Sequence, residues 1–179
     1  MAGGGRLHAY IDESGRSGKD YVMCAVTITS SDSNPIKKEL IRLCPKGSLR
    51  IHMNGVERRL VMPIINGVAA LEATSRLIVA TNFKTVRQAR DCVLTRTFEY
   101  LQTLNVDRVI IETCKQDHED NKIIRSVLGA DPPMHYQHER PDNPLLWLPD
   151  VHAWAWGKGG KYRTAIAKRI DGVERLRPS

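Results

Sequence analysis

The stretch "RLHAYIDESGRSGKDYVMCAVTIT" runs from Arg6 to Thr29, and its reading decides the fold. Arg6–Asp12 and Asp20–Thr29 are rich in β-branched and aromatic residues, with "RSGK" between them as a turn, so the two runs predict a hairpin. The first run closes on two adjacent carboxylates, Asp12 and Glu13, followed by Ser14-Gly15. Negative charge at the lip of a sheet packs poorly but suits a cation. Adjacent side chains of an undistorted strand face opposite sides, so only one of the two acids serves a given ligand. Asp12 shares parity with His8 and Tyr10, and Glu13 with Leu7, Ala9 and Ile11. Asp12 is the favoured ligand; Glu13 is the second choice, reaching in only where the Ser14-Gly15 turn bends the chain.

Beyond the hairpin, helices and strands alternate. "SDSNP" predicts a helix start with Ser33 or Asn34 as N-cap and Pro35 in the first turn, and "IKKELIRL" carries the helix to Cys44-Pro45. "SLRIHM" (Ser48 to Met53) reads as a short strand. "GVERRLVMPIINGVAALEATS" has helical periodicity, with Pro63 as a kink or break. "RLIVATNF" is a strand, Thr85–Leu104 a long amphipathic helix, and "VDRVIIET" a strand ending at Glu112. A polar loop then leads to a helix stopping near Gly129, "MHYQ" is a short strand, and a late helix is entered at Pro149. The pattern predicts an α/β domain with a mixed sheet flanked by helices.

Three acids recur at element ends: Asp12 on the first strand, Glu112 on a later one, Asp150 at the start of the late helix. Neighbouring strands lie about 5 Å apart, so adjacent strand ends place Asp12 and Glu112 on one cation. Hard oxygen ligands suit Mg²⁺ or Mn²⁺, and such ions support phosphodiester hydrolysis. Singly, each acid also has a structural reading; Asp150 complements the helix dipole in any case. Glu119 or Asp120, just beyond Glu112, is a candidate for a fourth carboxylate; a solvated helix start explains "QDHEDNK" equally well. His52 is a candidate general acid or phosphate donor, beside the reading of a structural histidine. His152 lies about 200° from Asp150 around the helix and falls outside such a site. Trp154 and Trp156 read as core or helix-packing residues rather than as base-stacking platforms.

At 179 residues, with 41% hydrophobic and 26% charged residues, the chain suits one globular domain. No apolar run reaches the ~18 residues of a membrane helix. Residues 1–6 lack the apolar core of a secretory signal, which predicts a short flexible lead and a cytoplasmic protein. Cys24, Cys44, Cys92 and Cys114 are scattered, with no zinc-ribbon spacing, and read as reduced thiols. The formal net charge of +7 favours a polyanionic partner, DNA or RNA. Lys158, Lys161, Arg163, Lys168 and Arg169 cluster after the late helix, beside Gly157, Gly159 and Gly160. Residues 162–179 therefore read as a basic arm able to track a nucleic-acid backbone, or as a solvated tail.

"YIDESG" followed by "YVMCAVTI", then "RIHMNG" around His52, then "LWLPDVHAWAWGK", resembles in order and spacing the bacterial family catalogued as domain of unknown function 3800. The likeness runs from Tyr10 to about Lys161. It implies a ribonuclease H-like domain over residues 7–161, a mixed sheet opening with a hairpin and flanked by helices, and a metal-dependent nuclease. By position it assigns Asp12 as the first-strand acid, Glu112 as the later strand-end acid (commonly Asp in the family) and Asp150 as the late-helix acid. Pro149 departs from the usual Ala. The alternative is a non-catalytic nucleic-acid-binding or regulatory protein on the same fold, favoured by Glu at position 112 and the absence of an assigned fourth acid.

Overall fold

The alternation of the opening hairpin sorts side chains onto two faces of one sheet. The computed structural model describes residues 5–17 and 20–179, without the side chains of 14–17. β1 (Leu7–Ser17) pairs antiparallel with β2 (Asp20–Thr29), Asp12 opposite Cys24 and Glu13 opposite Met23. Tyr10 joins Val22, Cys24 and Val26 in one hydrophobic cluster. Ala9 and Ile11 join Met23 and Ala25 in the other. β3 (Thr74–Thr81) extends the antiparallel run on β2. β4 (Arg108–Glu112) lies parallel to β1 on its far side, and β5 (His135–Glu139) parallel to β4. β6 (Ile170–Leu176) adds parallel to β3, giving the order β5-β4-β1-β2-β3-β6.

The helices, in chain order, are α1 (Ser33–Leu43), α2 (Arg58–Ala69), α3 (Val86–Thr103), α4 (Asp117–Leu128), α5 (Trp147–Lys158) and α6 (Gly160–Ile166). Apolar residues of α1, α2, α5 and α6 pack on the Tyr10 face, among them Leu40, Ile65, Val151 and Ile166. Those of α3 and α4, including Val93, Phe98 and Ile124, pack on the Ile11 face. A mixed sheet that opens with a hairpin and is covered on both faces by helices is the ribonuclease H-like α/β architecture. Among the described residues, no helix is long and apolar enough to cross a membrane. Cys24, Cys44, Cys92 and Cys114 are all free thiols, Cys24 buried and the other three half-buried.

Several elements differ from expectation. The first strand does not end at Asp12 but continues to Ser17, because β2 keeps pairing with it through Ser14 opposite Val22. Gly15 therefore lies within the strand, and of the expected turn "RSGK" Gly18 and Lys19 lie outside the described residues. What stops near Asp12 is the other neighbour: β4 pairs with β1 only as far as Ile111 beside Ile11 and ends at Glu112. "SLRIHM" forms no strand; it is an irregular segment leading into a 3₁₀ turn, Met53–Gly55. Pro63 does not break α2. It sits within the first two turns, where its missing N–H removes one ladder bond while Val61, Ile64 and Ile65 stay buried. α5 begins at Trp147, ahead of Pro149, after a 3₁₀ turn at Pro144–Leu146.

The largest difference is residues 162–179. They form no arm: α6 packs Ile166 into the core and β6 completes the sheet edge. The glycines between α5 and α6 act as a turn, Gly159 and Gly160 holding φ of +72° and +54°, which side-chain-bearing residues rarely adopt.

Candidate metal centre

Three elements bring three carboxylates to one cleft. Asp12 projects from β1 on the Tyr10 face, one residue past the Ile11–Ile111 pairing, so Glu112 at the end of β4 lies beside it and shares a hydrogen bond with it. Asp150, in the first turn of α5, comes in from the helix packed over that face. All three line a cleft of about 690 Å³, whose wall also includes Arg50, His52 and Trp154.

The charge balance of this cleft is strongly negative. Burial, the Glu112 hydrogen bond, and the charges of Glu112, Asp150 and Glu13 together push the Asp12 carboxyl up to about 10. Burial likewise raises Asp150, opposed by the Met53 backbone N–H, which donates to Asp150 Oδ2 at 2.8 Å, and by His52, 3.9 Å from Oδ1. Arg50 donates from Nη1 to Glu112 Oε1 at 3.2 Å. Met53, His52 and Arg50 all come from the irregular segment between α1 and α2. Its freedom from any ladder lets backbone and side-chain donors turn toward the acids. Clustered half-buried carboxylates are the oxygen donor set a hard dication suits.

Glu13 alternates to the opposite side of β1 from Asp12, yet it still lines the edge of the same cleft, with Tyr21. Its carboxylate accepts from Arg90 Nη1 at 2.7 Å and from the Tyr21 hydroxyl. Arg90, 3% exposed, also binds Asp120, fully buried, through Nε at 2.9 Å and Nη2 at 2.6 Å. Glu13, the second-choice ligand, thus lines the cleft with its carboxylate paired to a guanidinium. The same network accounts for the candidate fourth acids. Asp120 is bound by Arg90 and Arg87, and Glu119 pairs with Lys122 at the surface.

Cys114, Asp117 and Asp120 lie with ligand atoms within 4.8 Å of one another. Arg90 Nη2 donates to Cys114 Sγ at 3.4 Å, and Asp117 accepts from the Cys114 N–H at 2.8 Å and from the Thr113 hydroxyl. Two guanidiniums already neutralise Asp120. This cluster is an arginine-centred ion-pair network in which Arg87 also pairs with Asp91 and Arg90 with Glu13.

The basic candidates separate. Lys158 lines the carboxylate cleft, its Nζ 5.3 Å from the Trp154 ring centroid. Lys161 sits 5.3 Å from the Tyr162 ring centroid, and Lys168 is exposed. Arg163 lies over Trp156 and donates Nε to the Trp156 carbonyl at 2.7 Å. Arg169 is turned inward, donating to the Ala69 carbonyl at 2.8 Å and pairing with Glu72, a correction to its reading as a backbone contact. His152 is fully buried, its Nδ1 2.7 Å from Ser75 Oγ, and burial holds it neutral at about 3.

Four features were not read from the sequence. Arg50 was not singled out, because a lone arginine in a presumed strand carries no signal. The Met53 amide is invisible to side-chain reasoning. Glu139, at the end of β5, stands in register with Glu112 and accepts from Asn143 at 3.1 Å and Gln137 at 2.6 Å; the parallel strand-end pattern of Asp12 and Glu112 was the available signal. Trp154, read as packing, is half-buried on the cleft wall.

No protein-family model matches the chain, and no curated protein matches it. Among solved structures it is similar to the ribonuclease H2 from Pyrococcus horikoshii OT3, with a TM-score of 0.45 and 9% identity over 90% of this chain and 96% of that one. It is also similar to a point mutant of Bst-RNase HIII, with a TM-score of 0.47 and 10% identity over 92% of this chain and 62% of that one. At TM-scores below 0.5 these likenesses carry nothing about activity, substrate or residue roles.

Proposed function

We propose that the chain is a divalent-metal-dependent nuclease, hydrolysing phosphodiester bonds of DNA or RNA at the cleft between β1, β4 and α5. The observation that carries this reading is that Asp12, Glu112 and Asp150 line one cleft, with Arg50, His52 and Lys158 on its wall. Asp12, Glu112 and Asp150 would hold Mg²⁺ or Mn²⁺. When bound, such an ion supplies a water of lowered pKa and charge stabilisation at the phosphoryl oxygens.

The chain's own residues supply the rest. The Met53 N–H fixes the orientation of Asp150, leaving Oδ1 free to face the cleft. Arg50 steadies Glu112 and stands where a phosphate oxygen approaches the acids. His52, half-exposed beside Asp150, is positioned to give a proton to the leaving oxygen. Lys158 offsets the repulsion between the acids and an incoming phosphate.

The test is cleavage of end-labelled DNA and RNA by purified protein with Mn²⁺ or Mg²⁺, comparing wild type with Asp12→Asn and Asp150→Asn. Calorimetric titration of the ion into the same proteins reads binding apart from turnover. Metal-dependent cleavage lost in both variants, with weakened ion binding, supports the reading. Cleavage that persists undiminished in both variants sinks it.

A second reading rests on Arg50. A guanidinium bound to Glu112 takes part of the ligand set, as in a protein that binds nucleic acid without turnover. Arg50→Ala separates the two: it removes Mn²⁺-dependent cleavage or leaves none to remove, and ion affinity rises only where Arg50 competes with the metal.

A further inference from the structure

The α5 wall of the cleft carries aromatic and cationic side chains beside Asp150. On α5, Trp147, Asp150, Trp154 and Lys158 all line the cleft, at spacings of three, four and four residues, so they form one stripe along the helix. With a rise of 1.5 Å per residue, Trp154 stands about 6 Å and Lys158 about 12 Å along the axis from Asp150. A tryptophan kept only for packing buries its ring. Trp154 packs against the core with part of its surface yet also lines the cleft, and its indole N–H donates to Asn54 Oδ1 at the cleft rim at 3.2 Å. The Tyr162 ring meets it edge-on, at 5.4 Å and 69°, and bars it from turning away. Lys158 stands over its ring at 5.3 Å.

From the other lip, Arg50 and His52 are shared with an adjoining hollow of about 550 Å³ that Lys46 and Arg59 also line. An extended polyanion longer than the cleft has a basic path out of it on this side. A rigid aromatic ring about one nucleotide from the acids, flanked by lysine, is the pairing of stacking platform and basic track that unpaired strands use. Bases inside a duplex already stack on one another and cannot lie against such a ring.

We propose that the cleft takes single-stranded nucleic acid, one unpaired base stacking on Trp154 while Lys158 and Arg50 hold the flanking phosphates. This names the substrate class of the nuclease reading and rests on it for placement, but its binding test does not require turnover. Single-stranded DNA and single-stranded RNA share this chemistry, and separate arms tell them apart.

The experiment measures anisotropy of labelled 12-mers, single-stranded DNA, single-stranded RNA and the corresponding duplexes, in EDTA across a salt series. Wild type is expected to bind at least one single strand more tightly than any duplex. Trp154→Ala weakens that binding roughly 5- to 100-fold without changing the salt slope, and Trp154→Phe keeps most of it. Lys158→Gln lowers the slope by about 0.7. Tryptophan fluorescence of the wild type is quenched by the single strand, and Trp154→Phe removes most of that quenching. The phenylalanine variant and the wild-type quenching keep the test decisive even where the alanine variant fails to fold. Duplex bound as tightly as single strand, or affinity within twofold of wild type in Trp154→Ala, overturns the proposal. Single-strand binding through Trp154 without metal-dependent cleavage leaves this inference standing and removes the nuclease. Cleavage of duplex alone does the reverse.

Discussion

Asp12 and Glu13 are consecutive residues of β1, and the sheet separates them into two different electrostatic environments. Toward α3 and α4, Glu13 and the buried Asp120 converge on Arg90, and positive charge answers negative inside the core. Toward α5, Asp12 shares a cleft with Glu112 and Asp150, and like charges crowd one another, with Arg50, His52 and Lys158 on the same wall. The first side is arranged for the stability of the chain alone. The second costs stability until something positive enters. Acidic residues of equal charge, one peptide apart, thus differ in role through strand parity and through what each face of the sheet carries.

The comparison can be broken most severely at Arg90. Arg90→Met leaves the fully buried Asp120 with only the 3.3 Å contact of Arg87 and strips Glu13 of its partner, and should cost about 3–5 kcal/mol, read as a fall in urea midpoint. On the other face, Asp12→Asn should lower metal-dependent cleavage by more than about 100-fold, beyond the 10–100-fold typical of groups that merely support a ligand. The same variant should leave the metal-free protein at least as stable as wild type, because it removes a charge conflict. A stability loss in Asp12→Asn comparable to that in Arg90→Met would erase the distinction between the faces.

The two faces should also respond differently to ions and pH. Mg²⁺ or Mn²⁺ at about 100 times its dissociation constant should stabilise the wild type by about 2.7 kcal/mol and Asp12→Asn by much less, seen as a shift in melting temperature. Asp12 is raised from 3.8 to about 10, so the folded chain holds a proton that the unfolded chain releases. Its contribution is fully present below about pH 4 and is lost as pH rises toward 10. Metal-free wild type should therefore lose stability relative to Asp12→Asn between pH 6 and 9. The smallest effect is expected from Glu13→Gln, about 1 kcal/mol on stability, since Glu13 is partly exposed, with cleavage within about threefold of wild type.

Much of this was legible in the sequence. The β-branched runs that became β1 to β4 are long enough for their period to be unambiguous, and alternation alone put Asp12 and Glu13 on opposite faces. That Glu112 stands beside Asp12 followed from both lying at strand ends, once the strands are neighbours. Arg90 was not legible. In the helical pattern of α3 it is one more polar position, and its partners Glu13 and Asp120 lie 77 and 30 residues away. The segment Ser48–Met53 was misread as a strand because Leu49 and Ile51 alternate, yet Leu49 is fully exposed and no ladder forms. "IDGVERL" was hidden among basic residues, since an edge strand carries charges on a surface that a central strand would bury.

That last strand bears on how the chain reaches its fold. β3 holds Leu77, Ile78 and Val79 with no exposed surface, and its outer edge is paired by β6. Until Ile170–Leu176 is synthesised and docked, that edge offers unpaired amides and carbonyls beside apolar side chains, a template for another copy of the chain. The carboxylate cleft draws all its acids from residues made earlier, by Asp150. The terminal strand therefore protects a molecule whose proposed active site is already encoded, acting as a late safeguard against self-association.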